Sequence, residues 1–202
     1  MTLKIYGVPR SRAFRPLWLA HEAGIPFELV PVDQRKGEQH DPAFLAVNPN
    51  GHIPAIDDDG LVLWESMAIT LYLAKKRGGP LAPKDLAEDG LMTMWSFWAV
   101  TEVESHALQI LYNRALRPEA ERNEAAAIAA IETLRKPTAI LEKHLADRNF
   151  LVGDRFTVAD LNVAAVYSYA VPAPEAFAAA PRVRAWLDAA LARPAVAAAR
   201  NG

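Results

Sequence analysis

The sequence predicts two domains: an α/β domain with a mixed four-stranded sheet in the order βαβ-α-ββα, and an all-α helical bundle domain after it. Three observations lead to this prediction. Short β-prone runs alternate with helical patterns up to residue 78, residues 79–84 have the composition of a linker, and almost everything after that is apolar at helical spacing. We therefore divide the chain into domain 1–78, linker 79–84 and helical domain 85–202.

The first domain is predicted from strand-sized runs bounded by turn residues. Its elements, in order, are a strand at Leu3–Tyr6, a helix that stops at Gly24, a strand at Phe27–Val30, a short helix from Pro42 to Ala46, a strand after Pro54, a strand at Leu61–Leu63 and a helix at Ser66–Lys76. The first two strands can pair in parallel across their helix, and Asp59-Gly60 predicts an antiparallel hairpin. The sheet is therefore expected to be mixed.

The second domain is predicted from four helical patterns. They run from Asp85 to about Asn113, from Glu119 to His144, from Thr157 to about Ala170 and from Pro181 to Arg193. The first has apolar residues on two sides, which predicts that one face packs inside the domain and another meets a partner subunit or the sheet domain. In the third, Thr157 is an N-cap and Asp160 stands at the third helical position, which predicts a capping box.

One stretch of the first domain predicts a binding site for a peptide. If the Ile53-Pro54 bond is cis, the Ile53 N–H and C=O turn away from the sheet and offer paired hydrogen bonds to an extended ligand. Glu65-Ser66 then opens a helix, and the unpaired N–H groups at a helix start suit a carboxylate. Together these residues predict a peptide-and-carboxylate cradle.

Composition excludes several classes of function. The chain has no cysteine, which rules out disulfides, thiolate metal sites and chemistry at a protein thiol. The five histidines have no metal-ligand spacing, so we expect no metal. The formal net charge of -2 gives no reason to expect nucleic acid or membrane as a partner. No apolar run has the length of a membrane span and no signal-peptide pattern opens the chain, so a cytoplasmic location is expected.

Three motifs together resemble the cytosolic glutathione transferase superfamily. They are Asn48-Pro49-Asn50-Gly51-His52-Ile53-Pro54, Trp64-Glu65-Ser66 and Val152-Gly153-Asp154-Arg155-Phe156-Thr157-Val158-Ala159-Asp160. The resemblance runs from end to end and is greatest to bacterial serine-type, theta- or delta-like proteins. It implies a thioredoxin-like first domain that binds glutathione, a helical domain that covers a small electrophile, and a homodimer.

The resemblance implies that Ser11 activates the thiol of glutathione. A thiol like that of cysteine has a pKa of about 8.5, and a hydroxyl donor beside a helix N-terminus favours the thiolate, which is the nucleophile. The alternative role for Ser11 is a plain N-cap. Tyr6 is the rival activating residue, because tyrosine-type relatives carry their tyrosine near the end of the first strand; otherwise Tyr6 packs beneath the site.

The remaining site residues also follow from the resemblance. Ile53 and Pro54 would grip the cysteinyl unit, Glu65 and Ser66 the γ-glutamyl end, and His52 with Gln39 the glycyl carboxylate. One of Arg10, Arg12 and Arg15 would point inward, but the sequence does not say which. The electrophile pocket is expected to include Phe14, Trp98, Glu102, His106, Tyr112 and Tyr169.

Several functions other than the transferase reaction fit the same residues. Peroxidase, isomerase and dehalogenase activities use the same glutathione thiolate and are not separable by sequence. A non-catalytic binding or assembly module would share the fold, but such modules tend to lose the clamp residues, whereas Ile53, Pro54, Glu65 and Ser66 are all present. A carrier of apolar ligands could coexist with catalysis.

Overall fold

The computed structural model describes residues 3–201 and divides into two compact units. The first ends at Pro83 and resumes at Ala192; the second is Lys84–Leu191. The sequence instead assigns everything from residue 85 onward to the helical domain. The domains predicted from the sequence also include Met1, Thr2 and Gly202, which lie outside the described residues. Within residues 3–201, none of the helices combines the length and apolar composition that a membrane crossing requires.

The first unit has the predicted order of elements. It contains β1 (Leu3–Tyr6), α1 (Phe14–Ala23), β2 (Phe27–Val30), 3-10 turns at Gln34–Lys36 and Glu38–His40, α2 (Pro42–Leu45), β3 (Ala55–Asp58), β4 (Leu61–Trp64), α3 (Ser66–Arg77) and α9 (Pro194–Asn201). The strands lie in the order β2-β1-β3-β4. β1 pairs with β2 in parallel and with β3 antiparallel, and β3 pairs antiparallel with β4. The predicted mixed sheet is confirmed.

The sequence did not predict the last helix, α9. The final helix expected at Pro181–Arg193 ends at Leu191, and Pro194 opens α9, which packs against α1 of the first unit. The Arg193 guanidinium contacts the Glu22 carboxylate, which also accepts a hydrogen bond from Trp18 Nε1 at 3.3 Å. Proline is favourable at the first position of a helix, so Pro194 begins a new helix.

The second unit is helical throughout its regular structure. It contains α4 (Leu86–Trp98), a π-helical segment at Ala99–Glu104, α5 (Ser105–Leu111), a second π segment at Tyr112–Leu116, a 3-10 turn at Glu119–Glu121, α6 (Glu124–His144), α7 (Val158–Tyr167), 3-10 turns at Ser168–Ala170 and Pro174–Phe177, and α8 (Pro181–Leu191). The long helix predicted from Asp85 is thus divided by π segments, and the helix predicted to reach Ala170 tightens into a 3-10 turn after Tyr167.

The predicted capping box of α7 is present, and its Asp160 carboxylate accepts two further hydrogen bonds from residues outside the box. The Asp160 carboxylate accepts hydrogen bonds from the Thr157 N–H and hydroxyl, from the Leu151 N–H at 2.9 Å and from Trp186 Nε1 at 3.0 Å. Asp160 is fully buried. Burial raises the pKa of its carboxyl, and the four donors act in the opposite direction. This one side chain joins α7, α8 and the loop before α7.

An ion pair fastens the start of α4 to the same loop. Arg155 donates to both carboxylate oxygens of Glu88, at 3.0 and 2.6 Å, and the Lys84 N–H donates to the second oxygen at 2.8 Å. The hydrogen bonds from Arg155 are the main reason that the pKa of Glu88 falls from 4.5 to about 2. Bidentate charged pairs are among the stronger hydrogen bonds of proteins.

Replacing Glu88 by glutamine is expected to lower the free energy of unfolding by about 1–2 kcal/mol at pH 7. Because the folded protein holds the carboxylate ionised, this contribution is complete above the ordinary pKa of 4.5 and disappears as the pH falls toward about 2. Thermal melts of parent and variant should therefore converge between those pH values. Glu132→Gln is the control, since its pair with Arg135 is about two-thirds exposed. A gap that persists at pH 2 would contradict the assignment.

Candidate functional site

Ser11 lies in a turn between β1 and α1. Its hydroxyl donates to the Val8 carbonyl at 2.7 Å and accepts from the Ala13 N–H at 3.0 Å. Helix α1 begins at Phe14, after Ala13, so Ser11 fixes the turn before the helix and is not its N-cap. Ser11 is half-buried.

A glycine allows this turn to approach the cradle. Gly7 has a φ of 142°, and a Cβ placed there would lie 2.7 Å from the Ala13 Cβ and 3.4 Å from the Ile53 Cβ. Any side chain would push those two residues apart. The turn that carries Ser11 and the residue Ile53 are therefore neighbours because residue 7 is glycine.

The Ile53-Pro54 peptide bond is cis, as the sequence predicts. The loop before it is held by Asn48, which is almost fully buried: its amide donates to the His52 carbonyl at 2.6 Å and accepts from the Asn50 N–H at 3.1 Å. Ile53 is buried and His52 is exposed. The loop thus fixes the Ile53 backbone and leaves the His52 ring toward solvent.

Gln39 lies beside this loop. Gly51 has a φ of 61°, and a Cβ there would lie 3.2 Å from the Gln39 carbonyl oxygen and 3.3 Å from the His40 ring. Gln39 is half-buried, and among the described residues its Oε1 is buried without a hydrogen-bond partner. Buried amide oxygens normally have a partner, so this atom is an exception.

The start of α3 supplies the second half of the cradle. Ser66 is the first helical residue and is buried, and the preceding Glu65 is exposed and adopts a φ of 72° and a ψ of 110°. Non-glycine residues rarely adopt a positive φ, and such strain occurs most often at functional sites. The exposed carboxylate and the free N–H groups of the helix start present opposite charges side by side.

The structure identifies the arginine that points inward. Arg15 is 1% exposed and its Nη1 donates to Ser66 Oγ at 2.8 Å, whereas Arg10 and Arg12 are exposed. Arg15 joins the first turn of α1, four residues after Ser11, to the first residue of α3. The sequence did not distinguish Arg15 from Arg10 and Arg12.

Tyr6 packs into an apolar cluster at the end of β1. Its ring centroid lies 6.2 Å from that of Phe44, and the cluster also contains Val32, Ile53 and Ala55. Tyr6 stands opposite Ala55 in the β1–β3 pair. These contacts match the alternative in which Tyr6 packs beneath the site.

The residues expected to line an electrophile pocket divide into separate groups. Phe14, in the first unit, is buried, with its ring 5.5 Å from that of Trp18 and 5.4 Å from the Arg200 guanidinium. In the second unit α5, which carries His106, packs against the turn that carries Tyr169. His106, Tyr112 and Tyr169 are half-buried, and Glu102 is exposed.

Trp98 belongs to a different part of the helical unit. Its ring lies 5.0 Å from that of Trp95, and both line an open cavity of about 490 Å³ between α4 and the end of α6. The described residues lining this cavity are Met94, Trp95, Trp98, Ile140, Lys143, His144 and Arg148. His106, Tyr112 and Tyr169 are not among them, so Trp98 is not grouped with the other predicted pocket residues.

Sequence reasoning left Arg15 as one of three candidate arginines and gave Asn48 no role. Asn48 was part of a recognised motif but had no assigned role; asparagine side chains commonly bond to nearby backbone in turns, and this was the available signal. Over residues 3–201, no group of three or more His, Cys, Asp or Glu side chains is placed to hold a metal ion. The site therefore consists of hydroxyl, carboxylate, amide and backbone groups around an exposed helix start.

Comparison with known families assigns both halves of the chain. Residues 1–75 match the family described as glutathione S-transferase, N-terminal domain, and residues 103–194 match glutathione S-transferase, C-terminal domain. Among curated proteins, Glutathione S-transferase 3 of Zea mays is 40% identical over 207 residues, covering 96% of this chain and 90% of that protein. Glutathione S-transferase APIC of Nicotiana tabacum is 34% identical, covering 96% and 95%.

Solved structures give the same result. Glutathione transferase F7 from Populus trichocarpa matches with a TM-score of 0.88 at 34% identity and covers 100% of both chains. A theta class glutathione S-transferase from Xanthomonas axonopodis pv. citri, with glutathione bound, matches with a TM-score of 0.85 at 30% identity, covering 96% of this chain and 95% of that one. The thioredoxin-like sheet unit, the helical unit and these relatives together show that the chain belongs to the glutathione S-transferase family.

Proposed function

We propose that the protein is a glutathione S-transferase that binds glutathione as its thiolate and adds it to small hydrophobic electrophiles. The observation that carries this proposal is the group formed by the Ser11 turn, the cis Ile53-Pro54 loop and the Glu65-Ser66 helix start, which Gly7 and Arg15 hold together. The named relatives support it, since both are glutathione S-transferases and the match covers 90% and 95% of their lengths.

Each end of glutathione has matching groups in the cradle. The backbone of Ile53 would hold the cysteinyl unit through paired hydrogen bonds. The exposed Glu65 carboxylate would take the ammonium of the γ-glutamyl end, and Ser66 with the first N–H groups of α3 would take its carboxylate. His52, which is exposed, and Gln39, through its side-chain NH2 group, would donate hydrogen bonds to the glycyl carboxylate.

Ser11 is our choice for the residue that stabilises the thiolate. Its oxygen already accepts a hydrogen bond from the Ala13 N–H, which makes its own hydrogen a better donor. To donate to the sulfur of glutathione, the Ser11 hydroxyl would rotate away from the Val8 carbonyl, to which it donates in this structure. The thiolate then attacks an electrophilic carbon, a thioether forms, and the leaving group departs with the bonding electrons. Tyr6 is the weaker candidate because its ring is packed against Phe44.

The proposal extends to a serine-type subclass and a cytoplasmic location. We propose a theta- or delta-like subclass. One of the structures named above is described as theta class, which supports this subclass. The curated relatives named above come from plants and do not bear on it. The residues around Ser11 support a serine-type site, whichever subclass holds it. A cytoplasmic location is proposed from the resemblance to the cytosolic glutathione transferases.

The test of the function is a titration and an activity assay with the parent protein. Glutathione should bind, and the ultraviolet absorbance of its thiolate in the complex should appear at lower pH than for free glutathione. An activated aryl chloride should then yield a thioether at a rate that saturates with glutathione. A protein that binds no glutathione would instead be a non-catalytic module, and binding without turnover would favour a carrier.

We also propose that a second copy of the chain covers apolar residues that each unit leaves exposed. In the helical unit, exposed residues of α4 include Leu91, Met94 and Phe97, the last 63% exposed. In the first unit, β4 exposes Leu61, Val62 and Trp64 on an edge strand. Exposed groups of this kind commonly mark protein interfaces, and an unpaired edge strand is normally protected.

Changing Phe97 to glutamate is expected to convert a dimer into a monomer, because a charge would be buried in the interface. Sedimentation at micromolar concentration measures the change. Ile128→Glu is the matched control: it also replaces an exposed apolar residue of the helical unit, at 57% exposure on α6, and should leave the mass unchanged. A monomeric parent, or a dimer that survives Phe97→Glu, would show that α4 is not the contact face.

A further inference from the structure

The buried guanidinium of Arg15 has a role that the cradle residues do not account for. Arg15 is 1% exposed and lies in the first turn of α1, and its Nη1 donates to Ser66 Oγ at 2.8 Å. Burying a charge is costly unless it is paired and hydrogen-bonded. A guanidinium is permanently charged and can only donate, so it fixes the orientation of the hydroxyl that accepts its hydrogen bond.

The direction of this hydrogen bond determines what Ser66 can do. A serine hydroxyl has one hydrogen and two acceptor lone pairs, and a guanidinium can only donate. Ser66 Oγ therefore accepts from Arg15, and the hydroxyl hydrogen of Ser66 must point elsewhere. Ser66 is the first residue of α3, where unpaired N–H groups also point outward. The hydroxyl hydrogen and the helix start then form one set of donors for an anion.

We propose that Arg15 is a positioning residue that holds Ser66 as a hydrogen-bond donor to the γ-glutamyl carboxylate of glutathione. This inference rests on the proposed function of the cradle. The buried charge behind Ser66 also adds to the positive end of the α3 dipole, so the carboxylate meets a hydroxyl, backbone N–H groups and a positive field together. Arg15 acts through Ser66 and does not itself contact the ligand's sulfur.

An effect of Arg15 on glutathione binding can be distinguished from an effect on activation of the thiol. Ser11 and Arg15 lie four residues apart on one turn and helix, so a general disturbance of α1 would alter both. If Arg15 works through Ser66, replacing it weakens glutathione binding and raises KM, whereas the thiol pKa of bound glutathione and kcat at saturation stay close to those of the parent. If Arg15 works on the sulfur, the thiol pKa rises and kcat falls.

The experiment compares Arg15→Met and Arg15→Lys with the parent, using two ligands. One is glutathione, and the other is its analogue γ-aminobutyryl-cysteinyl-glycine, which lacks the γ-glutamyl carboxylate. Arg15→Met should weaken glutathione binding by about ten- to a hundredfold, a usual range for a charged hydrogen bond. It should leave binding of the analogue within about threefold of the parent. Arg15→Lys should recover most of the loss, because an ammonium can also donate to Ser66.

A double-mutant cycle with Ser66→Ala tests whether Arg15 acts through Ser66. Since both changes remove the same donor set, Arg15→Met should weaken glutathione binding much less in the Ser66→Ala background than in the parent. If Arg15→Met fails to fold, Arg15→Gln, which removes the charge but keeps a polar side chain, completes the cycle in the two backgrounds. Arg35→Met is the control, because Arg35 is an exposed arginine of the same unit, and it should bind both ligands as the parent does.

Three outcomes would overturn the inference. One is an equal loss of affinity for glutathione and the analogue; another is full additivity with Ser66→Ala; the third is a raised thiol pKa in Arg15→Met with binding unchanged. Failure of the parent to bind glutathione at all would refute the proposed function instead, and the two failures are therefore distinguishable.

Discussion

Replacing Ser11 by alanine is expected to lower kcat/KM for the addition of glutathione to an aryl chloride by about a hundred- to a thousandfold. This is the usual effect of removing one preorganised donor from a developing or bound anion. Without the hydroxyl, the thiol pKa of bound glutathione should rise toward the value of about 8.5 for a free cysteine thiol. Affinity for glutathione should change little, since the Ile53 loop and the start of α3 are intact.

The pH dependence of the reaction provides the decisive measurement. In the parent, activity should reach its plateau below neutral pH because the bound thiol is already ionised; in Ser11→Ala the plateau should move upward with the thiol pKa. Tyr6→Phe is the matched control and should behave as the parent, because the Tyr6 ring is packed against Phe44. If only Tyr6→Phe shifts the profile, the chemistry stands and the activating residue is Tyr6.

Replacing Asp160 by alanine is expected to lower the free energy of unfolding by about 4 kcal/mol. The change leaves three buried N–H donors without an acceptor, those of Leu151, Thr157 and Trp186, and each unpaired donor costs about 1–3 kcal/mol. The Thr157 hydroxyl can rotate to another partner and contributes less. For a chain of this size the melting temperature should fall by roughly 8–16 °C.

Two variants calibrate that result. Thr157→Ala removes a cap and should cost about 1 kcal/mol, without changing glutathione affinity. Asp188→Ala removes an exposed acid that pairs with Arg184 and should cost less than about 0.5 kcal/mol. Denaturant unfolding followed by tryptophan fluorescence measures all three, and Trp186 reports on the site directly. An Asp160→Ala protein as stable as Thr157→Ala would mean that the capping box alone, and not the link to α8, stabilises this region.

Local patterns predicted most of the first unit. The strands at Leu3–Tyr6 and Phe27–Val30 have the predicted bounds, the Asp59-Gly60 turn joins the expected hairpin, and the Ile53-Pro54 bond is cis. Each depends on residues within a few positions of one another, such as a turn pair, a proline or an alternating run. Sequence patterns contain that information directly.

What the sequence did not predict depends on distant contacts. Arg15 reaches Ser66 across 51 positions, and α9 packs on a helix almost the whole chain away, so neither has a local pattern. The two apolar faces expected for the helix from Asp85 did not show which residues are covered, and Leu91 is 45% exposed, because a helical stripe shows which residues share a side and not what covers that side. The roles of the individual site residues stay predictions.

The backbone at Glu65 places two demands on one position. A φ of 72° favours glycine, which would adopt it with less strain, but glycine has no carboxylate for an ammonium group. Under the proposed function, a substitution that relaxed the chain here would also remove the carboxylate that takes the γ-glutamyl ammonium, so greater stability would come with weaker substrate binding. A stabilised variant should therefore be sought at other positions.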